Sequence, residues 1–365
     1  MKRILHVVGA RPNFMKVAPI IRAMAKYPDE FEQILVHTGQ HYDANMSQVF
    51  FDELEMPKPD VNLEVGSGSH AWQTGEIMQR FEPVMLDYKP DWVFVPGDVN
   101  STVACALVAS KLGVKVAHVE AGLRSFDRSM PEEINRILTD HLADLLFTTE
   151  PSGRENLHRE GVPDEKICFV GNTMIDTLVR LKFKAQARWP DWQERLELDR
   201  YVLVTLHRPS NVDDLATLHE IVTALLEISD QIPVIFPIHP RTRQRISGLA
   251  LDNPTKLGNL RFVEPLGYLD FLALEINASL VLTDSGGVQE ETTYLGVPCL
   301  TVRPNTERPV TITQGTNQLI TGDTMELVGA AQAVVNTSIK QNIALPNLWD
   351  GNAAARIVDV LRQLQ

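Results

Sequence analysis

The sequence has few cysteines, no long apolar run and no basic block, and each absence excludes a class of protein. Its three cysteines, Cys105, Cys168 and Cys299, are far apart and lack the spacing of a metal site, so they fit reduced thiols in a cytoplasmic protein. No stretch approaches the roughly 20 apolar residues that a membrane-spanning helix needs. A net charge of -13 without a lysine- and arginine-rich block argues against nucleic acid or an anionic membrane as the main partner.

A chain of 365 residues is too long for one ordinary core, and short apolar runs indicate how it divides. Runs such as "ILHVVGA", "DWVFVPGD" and "KVAHVEAG" alternate with segments of helical period, and the same pattern restarts at Tyr201 with "YVLVTLHR". Runs that are apolar on both faces and alternate with helices predict parallel sheets covered on both sides. The sequence therefore predicts an α/β protein with two doubly wound, Rossmann-like domains.

We predict an N-terminal domain over residues 1–172, a C-terminal domain over 173–350 and a last helix over 351–365 that packs back on the first domain. The first apolar run is interrupted at Arg11, too early for a secretory signal, so it is interpreted as a strand. Ligands of open α/β sheets bind outside the carboxyl ends of the strands. If the two sheets face each other across a cleft, residues that follow strands are the candidates for a site.

Charged residues follow several predicted strands of the first half. The segment "GARPNFMK" has neither the Walker pattern nor GxGxxG, but Pro12 predicts a helix start at which Arg11 and Lys16 can bind phosphate. An ordinary turn with surface cations is the equal alternative. Asp98 follows the apolar run "WVFVP" and is either a helix N-cap, which its spacing slightly favours, or a catalytic acid.

Two further acidic positions have both a structural and a catalytic interpretation. Glu120 ends the run "KVAHVE", and a capping role is weaker there because Gly122 follows. Pro131 marks a helix start with Glu132 and Glu133 in its first turn, where acids complement the helix dipole. No histidine pair or EF-hand pattern accompanies these acids, so we predict no metal.

The second half supplies cations and a glycine pair. His207 follows the first strand of the second sheet and is either an acid–base group or a satisfied loop histidine, while Arg208 can form a fork to phosphate. After "LVLTDS", the Gly286–Gly287 pair lets backbone N–H groups approach a phosphate. The acids of the next helix, Glu290 or Glu291, can accept hydrogen bonds from ribose hydroxyls.

Seven segments in a fixed order resemble the non-hydrolysing UDP-N-acetylglucosamine 2-epimerases. They are "GARPNFMK", "HVEAGLRS", "MPEEINR", "GNTMID", "TLHRPSNVD", "TDSGGVQEE" and "TERP", and the resemblance covers essentially the whole chain. It implies a GT-B-like fold, a homodimer, a UDP-sugar substrate and no cofactor. It also implies an isomerase that epimerises UDP-N-acetylglucosamine at C2, by anti elimination of UDP to 2-acetamidoglucal and re-addition, for surface polysaccharide synthesis.

The resemblance assigns roles by position. Catalytic positions are Asp98, Glu120, Glu132 and His207. Substrate-binding positions, with Arg208 added because it follows a strand, are Arg11, Lys16, Arg208, Phe271, Ser285, Gly286, Gly287, Glu291 and Arg308. Candidates for allosteric activation by a second substrate molecule are Gln40, His41 and His239, although His239 is slightly more often structural and Asp43 departs from the pattern of activated members.

The implied chemistry needs two proton-transfer groups on opposite faces of the sugar. We expect Asp98 and Glu132 to exchange protons with C2 and Glu120 to orient the sugar. The alternative substrate is a UDP-2,3-diacetamido-2,3-dideoxyglucuronate, whose carboxylate Arg124 or Arg128 would bind. A hydrolysing epimerase, a GT-B glycosyltransferase and a non-catalytic UDP-sugar sensor also stay open.

Overall fold

The computed structural model describes residues 1–40, 51–248, 258–337 and 344–364. The chain divides into two compact units, Met1–Arg180 with Asn347–Gln365 and Leu181–Pro346. The division lies inside the helix Thr173–Gln186, at whose first residue the sequence placed its domain boundary. None of the helices in these described ranges is long and apolar enough to cross a bilayer.

The first unit is built on a parallel sheet. Its strands β1–β7 are Lys2–Val8, Phe31–His37, Val61–Asn62, Trp92–Pro96, Lys115–Ala121, Leu145–Thr148 and Ile167–Phe169. Its helices α1–α6 are Arg11–Met24, His70–Tyr88, Asn100–Lys111, Pro131–Leu142, Pro151–Arg159 and Thr173–Gln186. The strand order is β3-β2-β1-β4-β5-β6-β7. All five residues of β4 are buried, as expected of a central parallel strand whose two faces are both covered by helices.

The second unit repeats the plan. Its strands β8–β13 are Val202–Thr205, Val234–Pro237, Leu260–Val263, Leu280–Thr283, Cys299–Val302 and Asn317–Ile320, in the order β10-β9-β8-β11-β12-β13. Its helices α7–α14 are Trp189–Leu196, Pro209–Val212, Leu215–Ser229, Pro240–Ser247, Tyr268–Asn277, Gly286–Leu295, Val310–Thr313 and Thr324–Thr337. The predicted α/β class, with two doubly wound parallel sheets, is confirmed.

The last helix, α15 (Ala353–Gln363), belongs to the first unit. Its residues Ile357 and Leu361 share a buried core with Ile4 of β1 and Ile20 of α1. The carboxylate of Asp176, on α6, accepts hydrogen bonds from the first backbone N–H groups of α15 at 3.0 and 2.7 Å. The chain therefore returns after the second unit to complete the core of the first.

The chain order reverses once in each sheet. In the first sheet β1 lies beside β4, and in the second β8 lies beside β11. Open α/β sheets bind ligands at the carboxyl ends of the two strands that flank such a reversal. The segments that leave these strands are residues 9–11 and 97–99 in the first unit, and 206–208 and 284–287 in the second.

Candidate active site

Asp98 leaves the carboxyl end of β4 and pairs with a buried arginine of α4. Nη1 of Arg136 lies 2.5 Å from Oδ2 of Asp98, and Nη2 of the same guanidinium lies 2.9 Å from Oε2 of Glu133. Both Arg136 and Glu133 are almost completely buried, whereas 21% of the Asp98 side chain is exposed. One guanidinium thus holds an interior carboxylate and orients a second carboxylate that a ligand can reach.

The interpretation of Asp98 as a helix N-cap is wrong. Val99 is the N-cap residue of α3, and in this described segment no side chain caps the helix start. The Asp98 carboxylate binds Arg136 instead, and Nδ2 of Asn135 donates to the Asp98 backbone carbonyl at 2.9 Å. Both contacts come from α4, so that helix fixes the position of Asp98.

Glu120 lies at a β-bulge in β5. The pairing of β5 with β6 shifts register between Val119 and Ala121, and Glu120 has a φ of 73°, which is uncommon for a residue with a side chain. A bulge changes the direction in which a strand presents a side chain, and such strain costs roughly 1–3 kcal/mol. Oε1 of Glu120 lies 2.7 Å from Nζ of Lys16, and both side chains are buried. The bulge therefore directs Glu120 to a cation from α1.

Gly97 lies beside this ion pair, directly before Asp98. Its φ is 64°, and a Cβ atom at this position would lie 2.8 Å from Nζ of Lys16 and 3.9 Å from Oε1 of Glu120. A larger residue would be strained and would collide with the lysine. The structure thus brings Lys16, Glu120 and Asp98 together around one glycine at the β1/β4 reversal.

A buried chain of ion pairs supports the turn that follows β4. His118 is fully buried, with Nε2 2.7 Å from the carbonyl oxygen of Gly97 and Nδ1 2.6 Å from Oδ1 of Asp140. Oδ2 of Asp140 lies 2.7 Å from Nη1 of Arg124, whose guanidinium also donates to Glu160 at 2.7 and 2.6 Å. Burial opposes the charge of Asp140, but His118 and Arg124 outweigh it and lower the pKa of that carboxyl. Arg124 is therefore committed to two carboxylates, of which Asp140 is fully buried and Glu160 lies at the surface.

The buried acid of α4 is Glu133 rather than Glu132. Its carboxylate accepts hydrogen bonds from the backbone N–H groups of Ser125 and Phe126, each at 2.9 Å, in addition to the Arg136 ion pair. Burial alone would raise the pKa of Glu133, but Ser125 and Arg136 outweigh it and lower the pKa. Glu132 lies partly exposed in the first turn of the same helix. Glu133 therefore has a structural task, and Glu132 is the acid of this turn that solvent reaches.

Two of the remaining predicted residues of the first unit lie near strand ends, and a third lies outside the described residues. Arg11 is the first residue of α1, with Pro12 in its first turn as predicted. Gln40 is buried, and its Oε1 accepts hydrogen bonds from N and Oγ of Ser101 at 3.0 and 2.7 Å. His41, the second candidate for allosteric activation, lies outside the described residues. Gln40 thus links the end of β2 to α3.

His207 forms a dyad with a buried aspartate at the β8/β11 reversal. Nδ1 of His207 lies 2.8 Å from Oδ1 of Asp284, and the carboxylate also accepts hydrogen bonds from the backbone N–H groups of His207 and Arg208. Asp284 is fully buried, whereas 62% of the His207 side chain is exposed. Burial opposes the charge of Asp284, but His207 and these donors outweigh it and lower its pKa. The dyad orients the imidazole so that Nε2 is the nitrogen that can exchange a proton with a ligand.

The start of α12 provides backbone donors. Ser285 is its N-cap residue, and Gly286 and Gly287 form its first turn, where N–H groups and the helix dipole favour an anion. A Cβ atom on Gly286 would lie 2.3 Å from Nη1 of Arg308. Arg308 is buried, with Nε 2.7 Å from Oε1 of Glu290. Glycine at this position therefore allows a buried guanidinium to pack against the helix start.

The other predicted residues of the second unit lie on two further helices and a strand end. Tyr268, the first residue of α11, donates its hydroxyl to Oε1 of Glu291 at 2.7 Å. Phe271 lies partly buried one turn later on α11. His239 is exposed and directly precedes α10. Sequence reasoning placed Glu291 by its position after the glycine pair and Phe271 by resemblance, and it did not foresee the tyrosine that joins the two helices.

The sequence did not reveal several buried residues that bind the site residues or support their positions. They are Glu133, Arg136, His118, Asp140 and Asp284. A signal for Asp284 was present, because it directly follows an apolar strand just as Asp98 does. Arg136 lies 38 residues from Asp98, and no local pattern pairs them.

Cysteines and carboxylates do not assemble into a metal centre in the described ranges. There, no group of three His, Cys, Asp or Glu side chains lies close enough to hold a metal ion. All three cysteines are free; Cys105 and Cys299 are buried and Cys168 is partly buried. Burial raises the pKa of all three thiols, so they are packing residues rather than nucleophiles.

The fold assigns the chain to a structural class. The crystal structure of Methanocaldococcus jannaschii UDP-N-acetylglucosamine 2-epimerase, in complex with UDP-N-acetylglucosamine and UDP, matches it with a TM-score of 0.90 at 44% identity, over 99% of both chains. The two sheets, each with a single reversal of strand order, have the Rossmann arrangement. The chain is therefore an α/β protein of the GT-B-like class.

Sequence comparisons then identify the family. The family model described as UDP-N-acetylglucosamine 2-epimerase matches residues 22–362. A UDP-N-acetylglucosamine 2-epimerase of Methanocaldococcus jannaschii is 46% identical over 361 residues, 97% of each chain. The UDP-2,3-diacetamido-2,3-dideoxy-D-glucuronate 2-epimerase of Pseudomonas aeruginosa is 43% identical over 365 residues, 99% of this chain and 100% of that one. The chain belongs to the UDP-N-acetylglucosamine 2-epimerase family, which confirms the resemblance drawn from its motifs.

Proposed function

We propose that this chain is an isomerase that interconverts UDP-N-acetylglucosamine and UDP-N-acetylmannosamine by elimination and re-addition of UDP. The observation that carries the proposal is the group of acids and cations around Gly97, where Asp98 meets Arg136 and Glu120 meets Lys16. The first unit would act on the sugar with these acids, and the second would bind UDP through the start of α12 and the His207–Asp284 dyad.

The reaction breaks and restores two bonds. A carboxylate takes the proton from C2 while the bond between C1 and the β-phosphate oxygen of UDP breaks. The electron pair of the C1–O bond leaves with that oxygen, and the pair of the C2–H bond forms the double bond between C1 and C2 of the glycal. A carboxylic acid then returns a proton to C2 from the other face, and one of the β-phosphate oxygens of UDP, which became equivalent on departure, adds to C1. The sum is an isomerisation without net gain or loss of a proton.

The three acids Asp98, Glu120 and Glu132 differ in exposure, and this difference suggests which of them exchange protons with the sugar. Asp98 and Glu132 are partly exposed, whereas Glu120 is buried in its ion pair with Lys16. A carboxylate that exchanges protons with a ligand has to be reached by it, and a buried, paired carboxylate is better suited to hold a hydroxyl or amide in place. We therefore assign proton exchange to Asp98 and Glu132 and orientation of the sugar to Glu120.

Departure of UDP leaves negative charge on its β-phosphate. Backbone N–H groups at Gly286 and Gly287 and the imidazole of His207 are the donors that would accept this charge. Removal of one such donor costs about 3 kcal/mol of transition-state stabilisation in comparable oxyanion sites. Arg11 and Arg208 would add positive charge. Ser285, Phe271, Glu291 and Arg308 would contact the nucleotide, as the resemblance implies.

Oxygen-18 in the bond between C1 and the β-phosphate tests the elimination. If UDP leaves and returns, the label spreads from the bridging to the non-bridging phosphate oxygens at a rate comparable to epimerisation, and phosphorus NMR follows it. Epimerisation without spreading of the label would contradict the proposed route. A large accumulation of free UDP and N-acetylmannosamine would instead indicate a hydrolysing enzyme.

The second candidate substrate is a UDP-2,3-diacetamido-2,3-dideoxyglucuronate, since a relative that bears this name is 43% identical over the whole chain. Its carboxylate needs a cation, and Arg124 is already bound by Asp140 and Glu160. Arg128 is exposed in the loop before α4 and is the remaining candidate. Turnover of both UDP-sugars, compared in the chain and in Arg128→Gln, decides between them: only turnover of the uronate should fall.

A homodimer in the cytoplasm, serving the synthesis of cell-envelope polysaccharide, completes the proposal. The support for a dimer is an apolar strip on α4, where Ile134 and Leu138 lie one turn apart and are 42% and 49% exposed. Phe126, in the loop before the helix, is 73% exposed. A second copy of the chain would cover these side chains.

A further inference from the structure

Glu275 is a fully buried acid that the reaction does not use. It lies in α11, the helix that begins with Tyr268, and its relative exposure is 0%. Neither of its carboxylate oxygens has a hydrogen-bond donor among the described residues. An ionised carboxylate held in this way would cost several kcal/mol, because neither a cation nor a donor replaces the lost water.

The group that faces Glu275 is a second carboxylate. Glu291, on α12, is within hydrogen-bonding reach of Glu275 and is itself buried. Two carboxylates only accept hydrogen bonds, so one proton is needed to join them. Tyr268 already donates its hydroxyl to Oε1 of Glu291 at 2.7 Å, which favours the charged form of Glu291 over that of Glu275.

Within the described part of the chain, the other titratable groups near Glu275 do not offer it a positive charge. Burial raises the pKa of the Cys299 thiol, on β12, to about 12, and a charge on the nearby Glu275 would raise it further. The hydroxyl of Tyr201, which precedes β8, donates to the backbone carbonyl of Leu274 at 2.5 Å. Burial first, and then the charge and hydrogen bond of Glu291, raise the pKa of Glu275 well above its ordinary value.

We propose that Glu275 is a neutral carboxylic acid that donates its proton to the Glu291 carboxylate and so holds Glu291 in position for the ribose hydroxyls of the nucleotide. Glu275 is a positioning residue, since it acts through Glu291 and does not touch the ligand. The ribose part rests on the proposed function, in which Glu291 contacts UDP. The proton on Glu275 does not rest on it.

Infrared spectroscopy tests the proton directly. At about pH 8 the difference spectrum between the chain and Glu275→Gln should contain the carbonyl band of one protonated carboxylic acid, and carbon-13 labelling of glutamate should shift that band. Asp176, whose pKa is raised to about 6, is ionised at this pH and does not contribute. Absence of the band would overturn the proposal.

Titration with UDP and with 2′,3′-dideoxyuridine diphosphate tests the positioning. Glu275→Gln keeps a neutral hydrogen-bond donor, whereas Glu275→Leu removes the donor at similar volume. We expect Glu275→Gln to retain the preference for UDP and Glu275→Leu to reduce it about 10-fold, as loss of one buried hydrogen bond implies. In turnover, KM should rise more than kcat falls. Tyr268→Phe, which removes the tyrosine donor to Glu291, should act in the same direction as Glu275→Leu.

The outcomes separate the two proposals. A folded Glu275→Leu variant with an unchanged preference for UDP would overturn the positioning role, and so would a Glu275→Gln variant that loses as much as Glu275→Leu. If the unmodified chain binds neither diphosphate, the proposed function fails, while the infrared band still decides the protonation of Glu275. Circular dichroism and urea unfolding establish that each variant is folded.

Discussion

At the scale of single residues, Asp98 is the acid on which the proposed proton exchange depends most. Asp98→Asn keeps the size and the contact with Arg136 but cannot take a proton. We expect the rate of C2 proton exchange to fall about 10³-fold, within the range of general acid–base catalysis, with little change in UDP affinity. Asp87→Asn, an exposed acid on α2, is the matched control and should leave exchange unchanged. Near-normal exchange in Asp98→Asn would contradict the assignment.

Lys16 holds the charge of Glu120 in the interior. Lys16→Met leaves a buried carboxylate without its cation, and removal of one partner from a buried ion pair costs about 3–5 kcal/mol. We expect urea unfolding to show this loss and the double variant Lys16→Met/Glu120→Gln to recover most of it, because no charge remains buried. Equal losses in the single and double variants would show that the lysine contributes through packing rather than charge.

Residue types at strand ends could be predicted from the sequence, but their partners could not. Asp98 and His207 each follow an apolar run, so their location at a sheet edge was predictable. Arg136 and Asp284 lie 38 and 77 residues away from them, and only the fold brings the pairs together. For the same reason Arg124 was considered for a substrate carboxylate, although Asp140 and Glu160 already bind its guanidinium.

At the scale of elements, the β-bulge at Glu120 has no signal in the sequence. The run "KVAHVEA" has the pattern of a plain buried strand, yet its register with β6 shifts before Ala121. Hydrophobic pattern indicates that a strand exists, whereas its register depends on the neighbouring strand and on the Lys16 ion pair. Helix starts at Pro12 and Pro131 were predictable because proline fixes φ locally.

The junction between α6 and α15 makes stability depend on pH. Burial, together with the charge of Asp350, raises the pKa of Asp176 to about 6, although two backbone N–H groups of α15 favour its ionised form. In the unfolded chain the pKa of Asp176 lies near its ordinary value of 3.8. Because the pKa is higher in the folded chain, the protonated carboxyl of Asp176 stabilises the fold. This stabilisation is fully present below pH 3.8 and is lost as the pH rises through 6. Its size is about 3 kcal/mol, at about 1.4 kcal/mol per pKa unit.

Asp176→Asn removes this titration. Between about pH 4 and pH 7 the free energy of unfolding of the unmodified chain should decrease relative to that of the variant, as measured by urea unfolding at each pH. Titration of all other groups is common to both proteins and cancels in the difference. A difference that stays constant with pH would show that the pKa of Asp176 is ordinary, and one that grows in favour of the unmodified chain would show that it is lowered; either result would contradict a raised pKa.

At the scale of the whole molecule, the strip of Ile134 and Leu138 on α4 predicts association of two copies. The double variant Ile134→Glu/Leu138→Glu places charges on that surface and should shift sedimentation from dimer to monomer. Met325→Glu, at a side chain of α14 that is 85% exposed, is the control and should leave the association unchanged. A monomeric unmodified chain, or a double variant that stays dimeric, would contradict the assignment of this surface.

The two-sheet architecture was predictable because it depends on local patterns repeated along the chain. Apolar runs bounded by turn residues predicted the strands, and the restart at Tyr201 predicted the second sheet. The return of α15 to the first unit is different in kind, since Ile357 contacts residues near the opposite end of the chain. Such long-range packing depends on the folded core rather than on any local period.

Proton NMR in D₂O with UDP-N-acetylglucosamine tests the central claim most directly. The account predicts that the C2 proton is replaced by deuterium while UDP-N-acetylglucosamine and UDP-N-acetylmannosamine reach equilibrium, with little free UDP. Deuterium is expected at C2 of both epimers, because the carboxylic acid that returns the hydrogen to C2 exchanges its own proton with the solvent. Retention of the C2 proton during prolonged incubation with the active, folded chain would contradict epimerisation of this sugar.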